Sequence, residues 1–191
     1  MWCHGPVNDT LVTVDRAGLW DAEAISDVAA ATFPLACPPG LDTADIETYI
    51  DEALSDERFG DYLSDPNRTV LKAVSGGQIV GYTMLIAGGP TDPVVASAVE
   101  LRPVLEINKM YVLSGQHGSG VSTALMDAAL DHARDNGYAG VWLGVNQDNA
   151  RAQRFYAKRG FRTVGTRTFT VGATVCHDYL MEQALEPAAS S

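Results

Sequence analysis

The chain has 191 residues, 46% of them hydrophobic and 19% charged, enough for one globular domain with a sizeable core and against wholesale disorder. Its 13 Lys and Arg against 24 Asp and Glu leave a net charge of −11, which argues against sequence-independent nucleic-acid binding, a process driven by exposed cations. Three scattered cysteines, Cys3, Cys37 and Cys176, suit neither a disulfide framework nor a zinc site. No basic-then-apolar leader is seen, and no apolar run nears the ~18 residues of a membrane span, so a soluble cytoplasmic protein is expected.

Residues 11–14 alternate weakly and suggest a first, edge strand. Residues 15–31 read as a helix, with Leu19, Ala22, Ile25, Ala29 and Phe33 at helical spacing and Pro34 and Pro38-Pro39-Gly40 as its stop. Residues 42–59 read as a second helix, apolar along Ile46, Tyr49, Ile50, Ala53 and Leu54. Its other face carries Asp45, Glu47, Asp51, Glu52 and Asp56. That acid stripe could lure a polyamine, although it lies where an ordinary solvated face belongs.

After the turn at Asp65-Pro66-Asn67, residues 69–74 and 78–87 form two strands around Gly76-Gly77, a hairpin signal. Residues 88–103 are a loose connection in which 94–99 predict a helical turn over a pocket. Next comes EINKMYVLSGQHGSGVS at 106–122: one acid, Glu106, at the mouth of an apolar strand (107–113), then a glycine turn, then a helix. That helix carries Ala124, Leu125, Ala128 and Ala133 on one face and ends at Asn136-Gly137. A strand, a glycine turn and a helix start form an anion cradle, because free N–H groups and the helix dipole point the same way. Residues 138–145 are a continuous apolar strand, so this β–α–β unit predicts parallel neighbours. A helix at 149–159, with Ala152, Phe155 and Tyr156 inward, and strands at 161–171 and 175–181 around Gly172 complete one domain over 1–185, with a frayed tail at 186–191.

Three motifs nearly fit the glycine turn. A P-loop needs Lys where Val121 stands, and a dinucleotide fingerprint needs a third glycine where Thr123 stands. A nucleophile elbow needs glycines two residues either side of Ser119, where His117 and Val121 stand. None holds without its chemical residue. His117 reads as a loop donor before a base, and His177-Asp178 as a structural or substrate-edge pair, since no nucleophile is indicated beside it.

The turn resembles the acetyl-CoA signature of the GNAT N-acetyltransferases, Gln/Arg-x-x-Gly-x-Gly/Ala. It reads here His117-Gly118-Ser119-Gly120-Val121-Ser122, with His117 and Ser122 departing from the pattern. NARAQRFYAKRGF at 149–161 resembles the family's second block, N-x-x-A-x-x-F-Y-x-K-x-G-F. WLGVN at 142–146 and the run from Thr168-Phe169 through Gly172 to Asp178 and Met181 are similar to the bacterial polyamine (spermidine/spermine) branch.

The resemblance implies an α/β (α+β) fold: a mixed, mostly antiparallel sheet with a splayed parallel pair, flanked by helices. It implies acetyl-CoA as co-substrate, no metal, and direct acetyl transfer to a primary amine of a small molecule, a polyamine being one option. Glu106 would be the general base and Tyr156 the general acid. The backbone of Met110, Tyr111 and Val112 would hold the pantetheine arm, the amides of His117, Gly118, Ser119, Gly120, Val121 and Ser122 the pyrophosphate, and Asn149 the arm from the next helix. Neither nucleic acid nor a membrane is expected as partner, and a homodimer is an open option. The alternatives are a protein, peptide or aminoglycoside amine as acceptor, or a non-catalytic acyl-CoA-binding module.

Overall fold

The glycine pair makes its hairpin as expected. In the computed structural model, which describes residues 11–116 and 120–187, β2 (Arg68–Ser75) and β3 (Gln78–Ile86) flank Gly76 and Gly77. Their φ values of 60° and 78° are the positive pair that a type I′ turn requires. β1 (Val12–Arg16) joins β2 as an antiparallel edge strand. No helix of the described residues is long and apolar enough to cross a membrane.

The first helical region departs from expectation at both ends. Residues 15 and 16 stay in β1, and a 3-10 turn at Leu19–Asp21 precedes α1 (Ala22–Ala36). Asp21 accepts from the Gly18 N–H and from Lys72 Nζ, both at 2.9 Å, which pins the turn to β2 and delays the helix. Leu19 is therefore exposed rather than inward. Pro34 does not stop α1. It lies in the last turn, where its missing N–H forfeits a single bond, and Phe33, stacked on Tyr49 at 4.5 Å, anchors that turn.

The predicted second helix is two. α2 (Thr43–Ala53) ends at Leu54, and Ser55 caps α3 (Asp56–Ser64) by accepting from the Arg58 N–H at 3.2 Å. Burial of Leu54 and Phe59, and the bond from Ser26 Oγ to the Leu54 carbonyl at 2.7 Å, hold the break against α1.

The remaining elements are α4 (Pro93–Ala98), β4 (Val104–Val112), α5 (Val121–Asp135), β5 (Gly140–Asn146), α6 (Ala150–Lys158), β6 (Arg162–Val171) and β7 (Thr174–Ala184). The sheet order is β1-β2-β3-β4-β5-β7-β6, antiparallel throughout except for the parallel pair β4–β5. This is the mixed, helix-flanked sheet that the resemblance implied. α5 covers one face through Met126, Ala129, Leu130 and Ala133 against Leu85, Leu105, Val141 and Leu143. α1 and α3 cover the other through Ile25, Val28, Ala29 and Phe59 against Val70, Tyr82 and Met84. Each of the larger buried side chains among these, Val, Leu, Ile, Phe or Met, contributes about 1.5–3 kcal/mol, so both faces are closed firmly. α4 forms where a helical turn was expected; Val95 and Val99 pack on Val104, Trp142 and Leu180.

Candidate active site

β4 and β5 pair only at Val104–Gly140, Leu105–Val141 and Glu106–Trp142, and then they part. The cause lies on the other edge of β4. Its register with β3 passes from Ile107–Leu85 to Lys109–Met84, so Asn108 is an extra residue, a bulge that bends the strand. Thr83 Oγ1 donates to the Lys109 carbonyl at 2.8 Å and fixes the bend. Beyond Glu106, the β5-facing edge of β4 has no strand partner, so its backbone groups are available to a ligand.

A cavity of about 850 Å³ occupies this gap. On the α5 side it is lined by Met110, Val112, Gly120, Ser122, Thr123, Asn149, Phe155 and Tyr156. On the α1 side its walls are Phe33, Cys37, Tyr49, Lys109, Tyr111, Arg167, Phe169, Cys176 and Asp178. The splay thus opens one continuous space through the sheet with two differently built mouths.

The expected site residues distribute as follows. Met110, Tyr111, Val112, Gly120, Ser122, Asn149 and Tyr156 line the cavity. Gly120 has φ 86° and immediately precedes α5, so the first-turn amides of a fifteen-residue helix open at the cavity. The Val121 side chain is buried against Ala73, Val80 and Leu125, leaving its backbone as the part near the cavity. His117, Gly118 and Ser119 lie outside the described residues. Asn149 caps α6, its Oδ1 accepting from the Ala152 N–H at 3.1 Å, so its side chain is at least partly committed to the helix.

Glu106 is half-buried on the last rung of the parallel ladder and does not itself line the cavity. Its Oε1 accepts from Asn108 Nδ2 at 2.8 Å, and Asn108 does line it. Tyr156 lies between Phe155 and Phe161, with ring centroids 5.6 and 5.8 Å away, and burial pushes its phenol up to about 12. Tyr111 is shifted up as well, by burial first and by its tyrosine neighbours second.

Sequence reading missed Lys109 and Arg167 at the α1-side mouth, and reached Asp178 only as half of a structural or substrate-edge pair. Lys109 is held down to about 8, mainly by burial and then by Arg68, against a smaller upward pull from Glu106. Arg167 Nε lies 3.3 Å from Asp178 Oδ2, and its guanidinium sits 5.6 Å from the Trp142 ring centroid. Burial raises the Asp178 carboxyl, opposed by Arg167. One signal could have located this pair: counting outward from a two-residue turn at Gly172-Ala173 sets Arg167 opposite Asp178, as observed. His177 points to the other side and is exposed, so the two residues of His177-Asp178 part company. The acid stripe of α2 supplies nothing to the lining. Among the described lining residues Lys109, Arg151 and Arg167 are basic and Asp178 alone is acidic.

A bulged strand parting from its parallel neighbour beside a glycine-led helix is the splayed pair that the resemblance implied. Residues 29–161 match the acetyltransferase (GNAT) family. An uncharacterised N-acetyltransferase of Mycobacterium tuberculosis is 48% identical over 165 residues, which cover 86% of this chain and 98% of that protein. The chain belongs to the GNAT family and is an acetyl-CoA-dependent N-acetyltransferase. Two solved structures share its fold at low identity. The PaiA N-acetyltransferase of Thermoplasma acidophilum, in complex with coenzyme A, has a TM-score of 0.74 at 18% identity, covering 91% of this chain and 99% of that one. The ribosomal-protein-S18-alanine N-acetyltransferase of Escherichia coli has a TM-score of 0.67 at 16% identity, covering 94% and 97%.

Proposed function

We propose that the chain transfers the acetyl group of acetyl-CoA to the primary amine of a small molecule by direct attack, with Glu106 as base and Tyr156 as acid, in the cytoplasm. The observation that carries this reading is the gap beyond Glu106–Trp142, bordered by the unpaired edge of β4 on one side and Tyr156 on the other. An extended amide chain can pair with that edge as a missing strand would, and Met110 to Val112 are the residues that offer it. The amides opening α5 are suited to the pyrophosphate. Asn149, capping α6 at the cavity wall, would contact that extended chain from the next helix.

The co-substrate supplies a thioester, an acyl group already activated for attack. The protein must supply a neutral amine. A primary amine of pKa ~10.4 is short of neutrality by about three and a half units at pH 7, roughly 4–5 kcal/mol. Glu106 accepts this proton, through water at the Asn108 amide, because its carboxylate stands one hydrogen bond from the cavity. As the new C–N bond forms and the C–S bond breaks, the Tyr156 hydroxyl donates first a hydrogen bond and then its proton to the departing sulfur. Its high pKa keeps that proton in place at every working pH.

The cavity lends no support to a polyamine acceptor: its basic lining residues outnumber Asp178, and no acid of α2 is among them. Calorimetry with acetyl-CoA, followed by a mass-spectrometric screen of amine acceptors, tests the reading. Acetyl-CoA binding with acetylation of small amines is the expected result. Binding without transfer to any amine would leave an acyl-CoA-binding module, and preference for peptides or aminoglycosides would move the acceptor class.

A further inference from the structure

The α1-side mouth is built around one guanidinium. Arg167 reaches from β6 across β7 to β5, where Gly144 leaves room for it: a Cβ at Gly144 would collide with Arg167 Nη2. Trp142, two residues earlier on the same face of β5, stands beside the guanidinium, and Asp178 holds its Nε. These contacts orient the group and leave its terminal nitrogens without a hydrogen bond to any other described residue. Gly144 lies on the stretch of β5 that has parted from β4, so the guanidinium sits beside the gap where transfer would occur.

Three further observations narrow what can bind. Asp178 is engaged by Arg167, so the mouth offers a second cation-binding carboxylate nowhere among its described residues. Lys109 adds positive charge on the same side. Much of the rest of the wall is aromatic: Phe33 stacks on Tyr49, and Tyr49 meets Phe169 edge-on at 5.9 Å. A polycation would be repelled here. A pure anion would be opposed at a distance by a protein of net charge −11. A zwitterion meets neither objection.

We propose that the acceptor is an amino-acid-type zwitterion. Its reacting amine lies a few bonds from a carboxylate, Arg167 binds that carboxylate through its terminal nitrogens, and an apolar or aromatic side chain rests on the Phe33–Tyr49–Phe169 wall. Planar two-point contact with a carboxylate is the geometry that a pre-oriented guanidinium recognises best. This rests on the acetyl-transfer reading and adds the substrate class.

The test compares matched amines on the wild-type enzyme: phenylalanine against phenylalaninamide and phenethylamine, and lysine against cadaverine, with spermidine and phosphoethanolamine alongside. The expected result is a kcat/KM for each amino acid roughly ten- to a hundredfold above its uncharged or decarboxylated counterpart, the range of a charge-assisted hydrogen-bond pair. Arg167→Gln should close that gap, and Gly144→Ala, which keeps the arginine but displaces it, should narrow it mainly through KM; thermal melts by circular dichroism confirm that each variant is folded. Equal rates for amino acids and their amides overturn the proposal, as does preference for spermidine or phosphoethanolamine. Those results leave acetyl transfer standing, whereas acetyl-CoA binding with no amine acetylated overturns the reading on which the proposal rests.

Discussion

Glu106 and Trp142 face each other across the last rung of the β4–β5 ladder, and the cavity opens beyond that rung. The bulge at Asn108 two residues later turns a continuous sheet into a sheet with a slot. The candidate base is therefore fixed by sheet hydrogen bonds, while the next residues of the same strand are free to meet a ligand. Rigid placement on paired backbone is what a proton-transfer group needs, because misplacement by an ångström costs orders of magnitude in rate.

Replacing Tyr156 with Phe keeps the ring between Phe155 and Phe161 and removes only the hydroxyl. We expect kcat to fall roughly a hundredfold or more, the usual scale of general-acid loss, with acetyl-CoA affinity little changed by calorimetry. Full turnover in Tyr156→Phe, with acetyl transfer shown to limit the rate, would remove the acid role.

Glu106→Gln keeps the contact with Asn108 and loses the charge. The expected outcome is a kcat/KM roughly a hundredfold lower at neutral pH, together with loss of the acidic limb of its pH profile. An unchanged limb would assign the base elsewhere.

Lys109 bears on stability. Its folded pKa of about 8 lies below the ordinary 10.5, so between those values the unfolded chain binds more protons and stability rises with pH. At pH 7 the lysine is charged in both states, and the folded one carries the cost of burying it. Lys109→Met should therefore raise Tm at pH 7, and the gain should shrink as pH climbs through 8 towards 10.5. A gain independent of pH would show that packing rather than charge is responsible.

Ser55 caps α3 where a single helix was expected. Ser55→Ala should cost about 1 kcal/mol in chemical denaturation, with little change in the slope against denaturant. Ser55→Gly should recover most of that loss. A loss well below this would mean that buried Leu54 and Phe59 hold the break without help from the cap.

Local signals account for what was legible early. The Gly76-Gly77 hairpin, the β–glycine–α–β order and the 149–161 block all rest on residues close together in sequence, where backbone geometry and hydrophobic period act directly. The misreadings have a common cause in distant contacts. Asp21 was not visible as the partner of Lys72, so the late start of α1 was missed. Ser26 and the buried Leu54 were not visible as the reason for the break between α2 and α3. Pro34 looked like a stop because the stacking of Phe33 on Tyr49 joins two helices.

The site divides along the same line. By itself the sequence marked an anion cradle, because that rests on a short run of glycines and a helix start, and the resemblance it carries marked Glu106 and Tyr156 as the candidate acid–base pair. Tertiary structure alone decided the α1-side mouth. The slot exists because a bulge against β3 pulls β4 from β5, and Arg167 reaches it only by crossing β7 to the space that Gly144 leaves open. Neither relation is carried by residues near in the chain, since both depend on strand order and on the absence of one side chain at the point of crossing.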